Sequence, residues 1–270
     1  HSFPTRRSSD LQSETLHWRV LPDDASQSFL ELWLPPDAEG IELQITPPGR
    51  TALPTLRIGQ SRMWLDGGDK PVCALIYPRH VATGNHGTCA LLALAPSFSF
   101  KREDATAPAG LWEISLTNTR SGSVTIDAYV ERDDVVIPAR GGARQSHFED
   151  RFYNTSGNPG DWVDHPDNPS LIRRSGNFNS IGTGSQTVSV GGTRIADGSW
   201  AHYSPRKPDP DASRPERPVV VKVPDTQAFS DENAALLGLK AAGTRSGGVA
   251  RLAGTSDAAP QAARRILNRM

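Results

Sequence analysis

Residues 251–267 read RLAGTSDAAPQAARRIL. Gly254 and Thr255 lead into Ser256, and small residues with a single proline follow. A serine hydroxyl in this setting can act as a nucleophile. Gly254 permits a tight approach and an unusual backbone angle just before the serine. A helix starting here would set unpaired N–H groups, at the positive end of its dipole, where an oxyanion can be stabilised. Ala258 and Ala259 leave room above the hydroxyl for a substrate and a histidine. Pro260 falls in the first turn or so, where a missing N–H costs little. The plainer alternative is an N-capping serine, because Ser and Thr are common caps.

The elements that would position Ser256 form two patterns. From about residue 26 to 132 the chain is β-like, with SFLELWL (28–34), IELQIT (41–46), TLRIG (55–59), RMWL (62–65), VCALIY (72–77), CALLALA (89–95), LWEISLTN (111–118) and SVTIDAYV (123–130) as short apolar or alternating runs. Turn chemistry such as PPGR, DGGDKP and TRSGS separates them. That spacing predicts an antiparallel sandwich or jelly roll. GLWEISLTN and SGSVTIDAYV are expected to pair as a hairpin, with Trp112, Ile114 and Leu116 on one face. Residues 133–180 are polar and read as a long irregular connection. Beyond them the order changes to a strand ending in glycines (SQTVSVGG, 185–192), a proline-rich charged loop (203–218), a β-branched strand (RPVVVKVP, 217–224), the apolar AALLGLK (234–240), a GTRSGG turn and a C-terminal helix. Strand, loop, strand, glycine turn and helix predict α/β architecture.

Bulk properties narrow the class. With 36% hydrophobic and 22% charged among 270 residues, the chain suits one or two globular domains. A formal net charge of −1 supplies no basic field for nucleic acid and no polybasic patch for a membrane. No apolar run reaches the roughly 18 residues of a membrane-spanning helix. The two cysteines, Cys73 and Cys89, have neither metal-type spacing nor a disulfide framework. They are read as a bridge between neighbouring strands or as two buried thiols. Residues 1–11 (HSFPTRRSSDL) lack an apolar signal region. They read as a one-frame translation of a sequencing-adapter oligonucleotide and are set outside the fold.

GTSDAAPQAAR (254–264) resembles the nucleophile motif of subtilisin-like serine proteases, in which Gly-Thr-Ser-x-Ala-Ala/Ser-Pro opens a long helix. Six specified positions would coincide by chance at on the order of one in ten million places. Asp257 departs from the pattern, which has Met or another uncharged residue there. QTVSVGGTRIADGSWAHYSP (186–205) and VVVKVPDTQAFSDE (219–232) resemble the two preceding segments of that family. The strands of 26–135 are similar to a jelly-roll insertion that some bacterial members carry. The resemblance implies a mixed fold: a jelly-roll-like antiparallel β-sandwich over 12–135, a connection over 136–180, and the C-terminal part of an α/β subtilisin-like catalytic domain over 181–270. It implies a serine endopeptidase acting on a protein or peptide, with Ser256 attacking the scissile carbonyl and its own N–H forming part of an oxyanion hole. It requires no cofactor, allows structural calcium in the intact enzyme, and favours a parent enzyme outside the cytoplasm.

A serine nucleophile needs a histidine, and the histidine a carboxylate. The family order is Asp, His, Ser, as in the subtilisin example of convergent triads. His86-Gly87-Thr88 with Asp66 has that order, but the sequel CALLALA reads as a strand rather than a helix. Asp164 and His165 in DWVDHPDNP (161–169) fit loop polarity better, and no EF-hand spacing supports a calcium loop. His17, His147 and His202 carry no motif. Asn177 in SGNFNSIG fits a structural turn better than an oxyanion donor. The expectation is that the Asp, His and oxyanion Asn lie upstream of residue 12 and that this chain is inactive alone. The rival readings are a non-catalytic relative, marked by Asp257, and a β-sandwich binding module using Trp33, Trp64 and Trp112, with Ser256 as a helix cap.

Overall fold

The computed structural model describes residues 2–4, 13–36, 39–67, 69–79, 87–122, 124–131, 143–150, 170–172, 186–201, 203–204 and 224–269. The chain divides into two compact units, His1–Tyr153 with Pro169–Arg173, and Asn154–Asn168 with Arg174–Met270.

The first unit is built on period-two alternation. Its strands are β1 (Ser2–Pro4), β2 (Ser13–Val20), β3 (Ser28–Leu34), β4 (Ile41–Thr46), β5 (Gln60–Leu65), β6 (Pro71–Tyr77), β7 (Thr88–Leu94), β8 (Gly110–Asn118), β9 (Asp127–Val130) and β10 (His147–Glu149). They form a six-stranded sheet, β1-β9-β3-β7-β6-β5, and a four-stranded sheet, β10-β2-β8-β4, with every pairing antiparallel. Leu30, Leu32 and Leu34 of β3, Leu92 and Leu94 of β7, Trp18 of β2, and Trp112, Ile114 and Leu116 of β8 belong to one buried cluster. The alternation puts each row on one face, and those faces share one core.

Four expectations are corrected. TLRIG is not a strand: Leu56 alone bridges to Leu43. GLWEISLTN and SVTIDAYV are not a hairpin, because β8 and β9 lie in different sheets. Trp112, Ile114 and Leu116 do share the inward face, and the core needs them in one sheet and Ala128 and Val130 in the other. The connection also contains β10, a three-residue strand too short to show a period. Of the two readings of the cysteines, free thiols hold: Cys73 is free and buried, and Cys89 is free and half-buried. Cys73 is opposite Leu94 on β7, while Cys89 is opposite Trp33 on β3, so about 17 Å of strand separates Cys89 from the Cys73 register. Burial pushes the two thiols up to about 12 and about 11, which leaves them unreactive at neutral pH. Ser2–Pro4 pairs with Asp127–Tyr129, although sequence analysis set that segment outside the fold. A free sheet edge accepts any extended backbone.

The second unit is smaller. β11 (Val190–Arg194) and β12 (Thr226–Asp231) pair in parallel, β13 (Leu239–Ala242) and β14 (Val249–Leu252) form an antiparallel hairpin, and α1 (Thr255–Leu267) packs on β11 and β12. Among the described residues the molecule is therefore a β-rich mixed fold, mostly antiparallel, with one short helix. None of its described helices is long and apolar enough to cross a membrane.

Candidate active site

Gly191 and Gly192 of β11 allow the smaller unit to close up. A Cβ on Gly191 would lie 2.3 Å from the Trp200 ring, and one on Gly192 would lie 2.3 Å from Ser230 Oγ. Trp200 follows a tight turn that folds back on β11, where it bridges to Thr193. Gly192 N–H donates to Ser204 Oγ at 2.9 Å, fixing the segment that carries Tyr203.

The helix docks through small residues. Ala258 and Ala262, four apart, are its buried residues, so one narrow face lies against β11 and β12. Polar side chains finish the contact. Gln261 Nε2 donates to Phe229 O at 2.7 Å and to Asp257 O at 2.9 Å, and Arg265 Nη1 donates to Gln227 O at 3.3 Å. Gln227 and Phe229 are two apart, so their carbonyls share one edge of β12.

The hairpin delivers the chain back to that sheet. Asp231, fully buried, accepts from Gly238 N–H at 2.6 Å. Arg251 donates to Gly238 O at 2.8 Å and pairs with Glu232 at 2.5 Å. β14 ends at Leu252, two residues before Gly254.

Gly254 is the N-cap of α1, with φ 126° and ψ 166°. Only glycine occupies that region readily. Its carbonyl accepts from Asp257 N–H at 3.0 Å and its N–H donates to Tyr203 Oη at 2.9 Å. Ser256 is therefore the second helical residue, and its side chain is exposed. The helix has no side-chain cap hydrogen bond, so the reading of Ser256 as the helix cap is corrected: a glycine at positive φ takes that place. The exposed hydroxyl stands in the first turn, where the Thr255 and Ser256 N–H groups precede the first intrahelical bond. Beside it, Asp257 is partly buried, and its Oδ2 is buried with no hydrogen-bond partner among the described residues.

Asp66 belongs to the other unit, where its carboxylate accepts from Lys70 N–H at 3.1 Å inside the β5–β6 turn. His86, Asp164, His165, Asn177 and His202 lie outside the described residues. The described histidines, His17 and His147, both lie on the four-stranded sheet of the first unit. No histidine occurs among the described residues of the unit that holds Ser256, and no three His, Cys, Asp or Glu side chains among the described residues could hold a metal ion. Nor do the tryptophans form a platform. Trp112 is fully buried, Trp64 meets it edge-to-face at 6.1 Å, and Trp33 is exposed with its indole N–H on Glu31. Sequence reasoning overlooked Tyr203, whose bond to Gly254 spans 51 residues and leaves no local pattern.

No family model and no curated protein matches the chain. Among solved structures it is similar to one described as the structure of the Clostridium perfringens CspB protease, with a TM-score of 0.54 and 14% sequence identity. The likeness covers 97% of this chain and 44% of that one. At that identity it shows a shared fold alone. The chain spans less than half the length of that protein.

Proposed function

We propose that this chain carries the nucleophile of a subtilisin-like serine endopeptidase, with Ser256 as the attacking group and a protein or peptide as substrate. In this reading the first unit is the jelly-roll insert and the second the C-terminal part of the catalytic domain. The observation that carries the proposal is the exposed Ser256 hydroxyl in the first turn of α1, relieved of capping by Gly254. In that position the oxygen can add to an acyl carbon while nearby N–H groups, its own included, receive the carbonyl oxygen. The fold shared with a structure described as a protease supports it, as does the Gly-Thr-Ser motif. The base and its orienting carboxylate come from outside the described residues of this unit, and without them the chain cleaves peptide bonds poorly.

The test is acylation by an activated ester, with and without added imidazole as a surrogate base, read by mass on the tryptic peptide 252–264. Modification of Ser256 with imidazole alone present supports the nucleophile with an external base. Modification without imidazole supports the nucleophile with a base of its own. Either signal must vanish in Ser256→Ala. Labelling no faster than at the surface Ser246 under both conditions overturns the proposal.

A further inference from the structure

We propose that Tyr203 is a positioning residue for Ser256, a latch whose hydroxyl fixes the peptide planes leading into the nucleophile turn. The inference rests on the reading of Ser256 as the nucleophile.

Gly254 has a conformation that does not hold itself. Backbone in this sparsely populated region persists only where its surroundings over-determine it. Two hydrogen bonds do so here. The Gly254 carbonyl is tied forward into α1 through Asp257 N–H, and its N–H is tied back to Tyr203 Oη at 2.9 Å. Tyr203 is itself held, because its hydroxyl donates to the Ser230 carbonyl at 3.4 Å and its segment is pinned by the Gly192–Ser204 bond. The chain of contacts therefore runs from the end of β12 through one phenol to the residue that sets where the Thr255 and Ser256 amides point. A phenol suits the task because it accepts and donates at once. Burial, with Asp231 beside it, pushes its hydroxyl up to about 12, so it keeps its proton, and both roles, at any working pH.

Tyr203→Phe keeps the ring and removes the latch. Gly254 is buried, so its N–H then lacks a partner. Two readouts decide the matter on the full chain. First, amide exchange at Gly254 should speed up in Tyr203→Phe. Second, the imidazole-assisted acylation rate at Ser256, measured at saturating ester, should fall about tenfold, the loss expected when one buried hydrogen bond is removed. Ala262→Gly, which weakens α1 elsewhere, serves as the control and should lower the melting temperature while leaving the saturated rate within about twofold. A purely structural Tyr203 would make rate track melting temperature in both variants, and that result overturns the proposal. So does a wild-type rate in Tyr203→Phe, or unchanged Gly254 exchange. If wild-type Ser256 is not acylated at all, the nucleophile reading fails. Gly254 exchange then still shows whether the latch exists.

Discussion

Asp257 is the residue on which the two catalytic readings divide. It follows Ser256 in the first turn of α1, and one of its carboxylate oxygens is buried without a hydrogen-bond partner among the described residues. An acidic side chain at a helix N-terminus is favoured by the dipole, which accounts for its tolerance there. The same charge opposes any negative charge that builds on an acyl oxygen over this turn, and beside solvent, between the dielectric of water and about 20, that repulsion is about 1–2 kcal/mol. Asp257→Asn keeps the shape and removes the charge. We expect it to raise imidazole-assisted acylation of Ser256 on the order of tenfold, measured as the initial rate of labelled 252–264 peptide. An unchanged or lower rate would show that the carboxylate does not oppose the chemistry, and the non-catalytic reading would lose its one structural support. Residue types made Ser256 and Asp257 legible in the sequence, because the motif is contiguous. Tyr203 and the capping role of Gly254 were not. One depends on a contact 51 residues away, and the other on a backbone angle that permissive glycine does not declare.

Elements were legible where their period was long enough. β3, β4, β6 and β7 fall where the alternating runs lie, since two-residue alternation over six or seven residues leaves few other readings. Partners were not legible: β8 looks ready to pair with β9 and instead lies between β2 and β4. β10 shows why short elements escape. Three residues carry no period, and it is held to β2 by cross-strand chemistry. Arg19 donates to both oxygens of Glu149 at 2.8 and 2.7 Å, with His17 opposite Glu149 and His147 opposite Arg19. The Arg19 hydrogen bonds, helped by the charges of Arg19, His147 and His17, hold the Glu149 carboxyl below its usual range. A depressed carboxylate contributes stability above its unfolded value and loses it as pH falls through its folded one. Glu14, on β2, has the opposite sign: burial and nearby Asp150 raise it, so its ionised form costs stability at neutral pH and the cost fades on acidification. Two substitutions separate these effects. Glu14→Gln should raise the melting temperature at pH 7, with the gain shrinking below about pH 5. Glu149→Gln should lower it at pH 7 by the small amount typical of a half-exposed pair, about 0.5 kcal/mol, and change little near pH 3. Melting curves from pH 3 to 8 read both, and a gain from Glu14→Gln that persists at pH 3 would refute the burial argument.

At the scale of the molecule, the two units differ in what stabilises them. The first buries Trp18, Trp112, Tyr77 and rows of Leu and Ile in one cluster, and large apolar side chains bring about 1.5–3 kcal/mol each on burial. Among its described residues the second has Ala201, Ala228, Ala258 and Ala262 as buried hydrophobics, beside buried Thr193, Ser204, Ser230 and Asp231. Meanwhile Val188, Ile195, Phe229, Val249, Leu252, Ile266 and Leu267 stay exposed. These four alanines remove little apolar surface from water, so the described part of the second unit leans on hydrogen bonds, each adding only about 1 kcal/mol net. Local stability should therefore be unequal. Hydrogen exchange on the full chain should show protection in β3, β7 and β8 at least a hundredfold above that in β11 and β12, a gap of about 2.7 kcal/mol. The exposed apolar side chains should bind a hydrophobic dye, with Leu252→Ser and Leu267→Ser reducing the signal. Equal protection in the two units would mean that the second is stabilised by contacts beyond its alanines and hydrogen bonds. If the gap is found, the positions of Gly254 and Ser256 depend on a polar scaffold with little reserve. A single lost bond, such as that of Tyr203, then weighs more at the candidate site than it would in the apolar core of the first unit.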